Sequence, residues 1–241
     1  MEYKKIKIDI VIPVYNEGEN IVATLKAIDN NIKNIKEADF NISIVYDFDE
    51  DNTLPVIEKI KKEIAVPVNL VKNQTRGVVG ALKTGLSGSK ADYALVTMAD
   101  MSDDYRIVKD IVKLALQDYD LVCPSRYMKG GKLHGGPFLK QLLSRIAGLS
   151  MHVMSRIPTH DITNSYKLYK VPALKGLDFE STGGFEIGME IAAKLYLNGG
   201  KIVELPTEWW DRTAGKSRFK LFKWIPKYLK WYFYLLKGKR K

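Results

Sequence analysis

Three apolar, strand-like runs of this chain each end on a polar or acidic cluster: residues 10–17 (IVIPVYNE), 42–47 (ISIVYD) and 94–100 (ALVTMAD). Open α/β sheets bind ligands beyond the carboxyl ends of their strands, so Glu17, Asp47 and Asp100 are expected around one crevice. Acids gathered there suit a nucleotide accompanied by a divalent cation, because such a cation takes oxygen ligands from carboxylate, phosphate and water.

Alternating strands and helices must position these ends. Residues 8–14, 42–47, 68–72, 93–98 and 120–124 read as strands, and residues 18–33, 53–63, 77–87 and 104–117 between them read as helices. That order implies βαβ units and a mostly parallel sheet. The second half changes character. Residues 128–137 hold Gly130, Gly131, Gly135 and Gly136 and read as a mobile loop on the acceptor side of the crevice. A helix over 138–155, a helix over 185–198 and a strand over 201–206 follow, without internal repeat or low-complexity linker.

With 241 residues, 46% of them hydrophobic, the chain can bury a full core at the upper end of single-domain size. The lone Cys123 lies in an apolar run and excludes an intrachain disulfide framework, and His134, His152 and His160 lack zinc-ligand spacing. No signal-peptide pattern opens the sequence and no apolar run is long enough to span a bilayer, so a cytoplasmic protein is expected.

The net charge of +10 is localised: ten of the 38 cations fall between Lys216 and Lys241, where there is no acid, and the remaining cations equal the 28 acids. On a helix, Phe222, Ile225, Leu229, Phe233 and Leu236 form one apolar stripe, Lys220, Lys223, Lys227 and Lys230 form another face, and Pro226 fits the first turn. A basic amphipathic helix with flanking Trp and Tyr suits an anionic membrane surface. No nucleic-acid motif accompanies it. The expected organisation is a catalytic domain over 1–215 and a basic amphipathic tail over 216–241.

Together these segments resemble the inverting glycosyltransferases of family 2, with the GT-A fold, and within them the dolichol-phosphate mannose synthases and polyprenol-phosphate sugar transferases. The resemblance is carried by residues 11–17, the acid-rich 45–53, the Asn/Gly segment 73–85, Ser125-Arg126-Tyr127 with Gly130-Gly131, residues 161–166, and Arg212, Gly215, Ser217 and Arg218. It implies an α/β GT-A domain that transfers a hexose from a GDP- or UDP-sugar to a polyprenyl or dolichyl phosphate, peripheral on the cytoplasmic membrane face.

It further implies roles residue by residue. Pro13, Tyr15, Glu17, Val45, Asp47, Ala99 and Arg218 would bind the nucleotide sugar. Asp100, Arg126 and Arg212 would be catalytic, and Lys140 with Ser144, one helical turn apart, would hold the acceptor phosphate. Mg²⁺ or Mn²⁺ would sit on Asp100 and Ser102. The family's Asp-x-Asp appears here as Met98-Ala99-Asp100, so a thioether replaces one carboxylate, and Asp103 or Asp104 is expected to compensate.

The chemistry fits these residue types. A departing nucleoside diphosphate needs cationic stabilisation, and Arg offers two parallel hydrogen bonds to phosphate. A phosphate acceptor is already anionic, whereas a hydroxyl acceptor would need a base, for which Asp161, Glu186 and Glu190 are candidates. The alternatives are a soluble family 2 enzyme acting on a saccharide or protein hydroxyl, a non-catalytic nucleotide-sugar-binding protein, and a nucleotidyltransferase releasing pyrophosphate. A separate membrane-embedded partner subunit is compatible with all the lipid-directed readings.

Overall fold

A computed structural model describes residues 5–212 and 221–240. In chain order the elements are β1 (Ile6–Pro13), α1 (Asn20–Ile32), β2 (Ala38–Tyr46), α2 (Thr53–Ile60), β3 (Val68–Lys72), α3 (Val78–Gly88), β4 (Tyr93–Val96), α4 (Val108–Ala115) and β5 (Leu121–Ser125). Then come β6 (Lys132–His134), α5 (Phe138–Ser155), β7 (Lys167–Lys170), α6 (Val171–Leu174), α7 (Glu186–Leu197), β8 (Ile202–Pro206), β9 (Glu208–Trp210) and α8 (Leu221–Lys237).

Among the described residues, seven strands form one sheet in the order β3-β2-β1-β4-β7-β5-β8, and β6 pairs with β9 in a second. In the large sheet only β7 runs antiparallel to its neighbours. The chain builds outward from β1 to β3, then crosses back to place β4 on the other side of β1. That reversal opens a crevice beyond the carboxyl ends of β1 and β4.

Alternation along β1 splits the core in two. Ile8, Ile10 and Ile12 face α1, whose Ile21, Leu25, Ile28 and Ile32 recur at helical spacing. Val11 faces the other way, toward Val45, Leu82 and Leu86, in a layer that also holds Cys123 and α7. At Gly85 a Cβ would lie 2.3 Å from Val11 Cγ1, so the close approach of α3 to β1 requires glycine there. Every residue of α7 is buried, as expected of a helix enclosed on all sides.

Four features depart from the sequence reading. The helix expected over 104–117 divides into a 3-10 turn at Tyr105–Ile107 and α4, because Asp104 caps the turn by accepting from Arg106 N at 3.0 Å. β7 was not expected, since the sequence KLYK carries a lysine at each end. Lys167 is nevertheless fully buried and donates to the carbonyls of Ile162 and Asn164. The glycine-rich segment is pinned rather than loose: β6 pairs with β9, and Glu208 accepts from Lys132 Nζ at 3.1 Å and bonds His134 Nε2 at 2.7 Å.

The fourth departure concerns α8, which packs on α5 and α7. Its helix includes Leu221, so Pro226 lies inside rather than in the first turn. Trp231 and Leu235 are buried against the body, whereas Leu229 and Phe233 of the expected stripe are 44% and 50% exposed. Two lysines of the basic face bond the body at the exposed rim of the contact: Lys230 donates to Glu180 at 2.9 Å, and Lys227 to Thr182 at 3.3 Å. Buried Glu190, with Glu180 beside it, gives the reason. Lys194 bridges both at 2.8 Å, and Lys194 and Lys230 lie 5.0 and 4.6 Å from the Trp231 ring. Removing this ring leaves a large hole in a charged seam. Trp231→Ala is expected to lower unfolding stability by about 3–5 kcal/mol in urea melts, and a loss below about 1 kcal/mol would mean that α8 contributes little to the fold.

Beneath the end of β4, buried Asp103 accepts from Thr97 Oγ1 at 2.7 Å and Met98 N at 3.2 Å, with the Tyr105 hydroxyl 3.1 Å from Thr97 Oγ1. Burial pushes the Asp103 carboxyl up to about 7, with Asp100 adding to the rise against the hydrogen bond from Thr97. The folded state therefore keeps a proton that the unfolded chain releases near pH 4. Stability is expected to fall as pH rises between about 4 and 7 and to level off above. Melts of Asp103→Asn across this window are expected to show a flatter profile; an unchanged profile would remove Asp103 as the cause.

Candidate active site

The loop after β1 is shaped by the acid-rich segment after β2. Asn16, at φ 52°, donates its backbone N–H to Asp51 Oδ2 at 2.9 Å, and Glu17 N donates to Thr53 Oγ1 at 2.9 Å. Asp51 Oδ1 also accepts from Thr53 N, capping the approach to α2. Exposed Tyr15 meets the edge of Phe48 at 5.4 Å. Pro13 is buried in register with Val45, and Val14 N donates to the Val45 carbonyl at 2.9 Å.

Asp47, directly after β2, has both carboxylate oxygens engaged: Asn73 Nδ2 donates at 2.7 Å and Gly77 N at 2.8 Å. Gly77 has φ +100°, which suits glycine, and Thr84 Oγ1 donates to Asn73 Oδ1 at 3.0 Å. The Asn/Gly segment thus forms one wall of the crevice through Asp47. Two side chains expected in the nucleotide pocket point elsewhere. Val45 is buried in the layer under α3, and Ala99 is packed into the core on the α1 side. Alternation in β2 sends Val45 inward, so its side chain is corrected from pocket wall to core, as is the Ala99 methyl.

Asp100 and Arg212, 112 residues apart, meet directly. Arg212 Nη2 donates to Asp100 Oδ2 at 2.8 Å, and Asp100 Oδ1 accepts from Ser102 N at 3.2 Å. Buried Ser102 also accepts from Trp210 N through its carbonyl, at 3.1 Å, which ties the Asp100 turn to β9. The expected compensating acids do not join them. Asp103 is turned to Thr97, and Asp104 takes the Arg106 guanidinium at 2.8 and 2.9 Å. Arg218 lies outside the described residues.

Arg126, at the end of β5, is held by Asp161 in a two-point ion pair, with Nε to Oδ2 at 2.6 Å and Nη2 to Oδ1 at 2.9 Å. The Arg126 backbone N–H adds a third bond to Oδ2 at 3.0 Å. Burial opposes charge on Asp161, yet Arg126 outweighs it and holds the carboxyl below the usual range. Beside it, the Tyr127 hydroxyl bonds Ser144 Oγ on α5. No periodicity announces this tyrosine contact, which spans 17 residues and depends on the path of the glycine-rich segment.

Lys140 shares this environment. Burial lowers its pKa first, and the nearby Arg126 and Arg212 cations lower it further, against Asp211 and Asp100. The cations expected on the donor and acceptor sides therefore act on one another electrostatically. A cleft of about 340 Å³ is lined by Arg126, Tyr127, Lys132, Gln141 and Arg145. Arg145 and Lys132 were not singled out by sequence, since isolated surface cations look alike.

The three candidate bases are committed. Asp161 serves Arg126, Glu186 accepts from Gly183 N at 2.6 Å and Gly184 N at 2.5 Å, and Glu190 accepts from Glu180 N, Ser181 N and Lys194. All three are fully buried.

The donor set fits a hard divalent cation that is shared with phosphate. Asp100 already binds a cationic group, the Arg212 guanidinium, through an oxygen facing the crevice, and such ions are commonly held by one or two carboxylates with the rest from phosphate and water. Among the described residues there is no cluster of three or more acids, histidines or cysteines, so an all-protein cage is not what this site offers.

The sequence pattern of Glycosyl transferase family 2 matches residues 9–177. The dolichol-phosphate mannosyltransferase of Pyrococcus furiosus is 27% identical over 236 residues, covering 96% of this chain and 64% of that protein. The undecaprenyl-phosphate mannosyltransferase of Micrococcus luteus is 28% identical over 216 residues, covering 86% and 85%. Among solved structures, a Pyrobaculum calidifontis mannosyltransferase in complex with GDP-Man and Mn²⁺ superposes with a TM-score of 0.66 at 16% identity, covering 98% of this chain and 66% of that one. Glucosyl-3-phosphoglycerate synthase from Mycobacterium tuberculosis, with Mn²⁺ and UDP, gives 0.68 at 15% identity over 96% and 80%. The chain thus spans about two thirds of the Pyrococcus and Pyrobaculum proteins and shares the GT-A α/β fold of the solved structures. With the family's pattern running from β1 past α6, over most of the sheet that builds the crevice, the chain belongs to glycosyl transferase family 2.

Proposed function

We propose that the chain is an inverting glycosyltransferase that moves a hexose from a GDP- or UDP-sugar to a polyprenyl phosphate at a membrane surface, on its cytoplasmic face. The observation that carries this reading is the pairing of Asp100 with Arg212 at 2.8 Å, across 112 residues, with Arg126 and Arg212 both lowering the pKa of Lys140. Converging cations suit a reaction in which both substrates bring phosphate. The polyprenol-phosphate relatives and the nucleotide sugars bound in structural neighbours support the same substrates.

In this reading Tyr15, Glu17 and Asp47 border the nucleoside, Pro13 backs the pocket, and Arg212 faces the diphosphate, to which Arg218 is assigned by resemblance alone. Mg²⁺ or Mn²⁺, held by Asp100 with Ser102 beside it, would supply positive charge for the departing diphosphate. Lys140 and Ser144 receive the acceptor phosphate, with Tyr127 fixing the Ser144 hydroxyl. Arg126 acts at the boundary between the two, its guanidinium oriented by Asp161. The attacking phosphate oxygen is already anionic, so positioning replaces proton abstraction. A hydroxyl acceptor would need an available base, and Asp161, Glu186 and Glu190 are buried in bonds that the fold uses.

The lipid side is supported by the outer surface of α5 and α8. Phe138 is 76% exposed and Ile146 54%, with Leu139, Leu142, Leu143, Val153 and Met154 also exposed on α5, and Leu229 and Phe233 on α8. The Tyr232 hydroxyl donates to Ser150 Oγ at 3.0 Å, which joins the two helices into one surface. Contiguous apolar exposure of this kind marks an interaction face, and each nearby Lys or Arg adds roughly 1 kcal/mol on an anionic membrane. No described helix is long and apolar enough to cross a membrane.

Two outcomes test this. In a thermal-shift panel with Mn²⁺, one GDP- or UDP-sugar is expected to raise the melting temperature of both wild type and Lys140→Ala. Transfer to polyprenyl phosphate, followed by release of the nucleoside diphosphate, is expected to fall by about 10²-fold or more in that variant. Normal transfer by Lys140→Ala would remove it from the acceptor site, and release of pyrophosphate would replace the reaction class. Second, combined Phe138→Ser, Ile146→Ser and Phe233→Ser is expected to abolish binding to anionic vesicles while the donor-induced shift remains. Vesicle binding equal to wild type would exclude this face, and an absence of binding by the wild-type chain alone would point to a membrane-embedded partner subunit.

A further inference from the structure

We propose that Arg212 and a divalent cation compete for Asp100, so that the carboxylate is closed to the ion until a diphosphate draws the guanidinium away. The release step rests on the donor reading above; the competition itself rests on the pair. Asp100 Oδ2 accepts from Arg212 Nη2 at 2.8 Å while Oδ1 accepts from Ser102 N, so both oxygens are engaged. The two side chains are only 11% and 25% exposed, which limits screening by solvent.

One carboxylate carries one negative charge. A guanidinium and a divalent ion together bring three positive ones, and Lys140 stands close enough to feel both Asp100 and Arg212. Asp103 does not relieve the excess, because its carboxylate is buried and turned to Thr97 and Met98 N, and Met98 stands where a second acid would help. The excess is resolved when Arg212 leaves or when further negative charge arrives. A diphosphate does both: it adds charge beside the ion and offers the guanidinium a forked oxygen partner better than a single carboxylate oxygen. Arg212 follows β9 through Asp211, whose Oδ1 accepts from Arg212 N at 3.1 Å, so its backbone is tethered while the guanidinium is carried on a long side chain. Ion and nucleotide are then coupled, each raising the other's affinity by the same factor.

The consequence runs against the usual expectation for removing a site arginine. Mn²⁺ alone, titrated into the full chain and followed by the loss of its free-ion paramagnetic resonance signal, is expected to bind Arg212→Ala and Arg212→Gln at least about fivefold more tightly than wild type. Asp100→Asn is expected to lose this binding. In wild type, GDP or UDP is expected to tighten Mn²⁺ binding by a larger factor than in either Arg212 variant. Equal or weaker Mn²⁺ affinity in both Arg212 variants, or full Mn²⁺ binding by Asp100→Asn, overturns the inference even if a nucleotide sugar binds. A tighter Mn²⁺ site in the variants that neither GDP nor UDP influences upholds the competition and removes the donor reading instead.

Discussion

The buried fork between Arg126 and Asp161 is the interaction on which the rest of the site depends. Taking a guanidinium and a carboxylate out of water is costly, and the cost is offset only when geometry is good and the remaining lone pairs are used. Here the carboxylate takes two guanidinium bonds and the Arg126 backbone N–H, while Thr163 Oγ1 stands against both partners. The fork thereby binds the end of β5 to the segment leading into β7, the strand that interrupts the parallel order between β4 and β5. Lys167, buried at the start of β7, bonds the carbonyls of the same segment and fixes it from below. From that fixed point Tyr127 reaches α5, and the glycine-rich segment sets out toward β9.

The charge arrangement follows from the same economy. Acids whose sequence context suggested proton transfer are spent on holding backbone N–H groups and cations in place, as Glu186 does at the start of α7 and Glu190 does beneath α8. Lys140 in turn feels the cations Arg126 and Arg212 against the acids Asp211 and Asp100.

The first half of the fold was legible because its central strands are mostly buried, β-branched runs and its helices carry clear apolar spacing, as β1 and α1 show. The acids at the strand ends were legible for the same reason: their positions are set by topology. Where the reading failed, a tertiary partner had overruled local pattern. β7 hides Lys167 completely, and residues 132–134 become a strand only because β9 arrives from far along the chain. On α8 the apolar side chains are numerous enough to serve two faces. Only the acidic seam of Glu180 and Glu190 decides which one docks, and that seam is built by α7 and the segment before it. Long-range pairs such as Asp100–Arg212 leave no periodic trace at all, and resemblance alone placed those two residues in one site.

The small ladder between β6 and β9 couples the two banks of the crevice. Residues 132–134 continue through Gly135 and Gly136 into α5, and residues 208–210 continue straight into Asp211 and Arg212. Asp211 N also donates to the His134 carbonyl at 2.9 Å, extending the ladder by one rung. The entrance of α5 and the segment carrying Arg212 are thus joined by backbone hydrogen bonds. The turn that leads into α5 and the arginine that pairs with Asp100 therefore hang on one backbone frame.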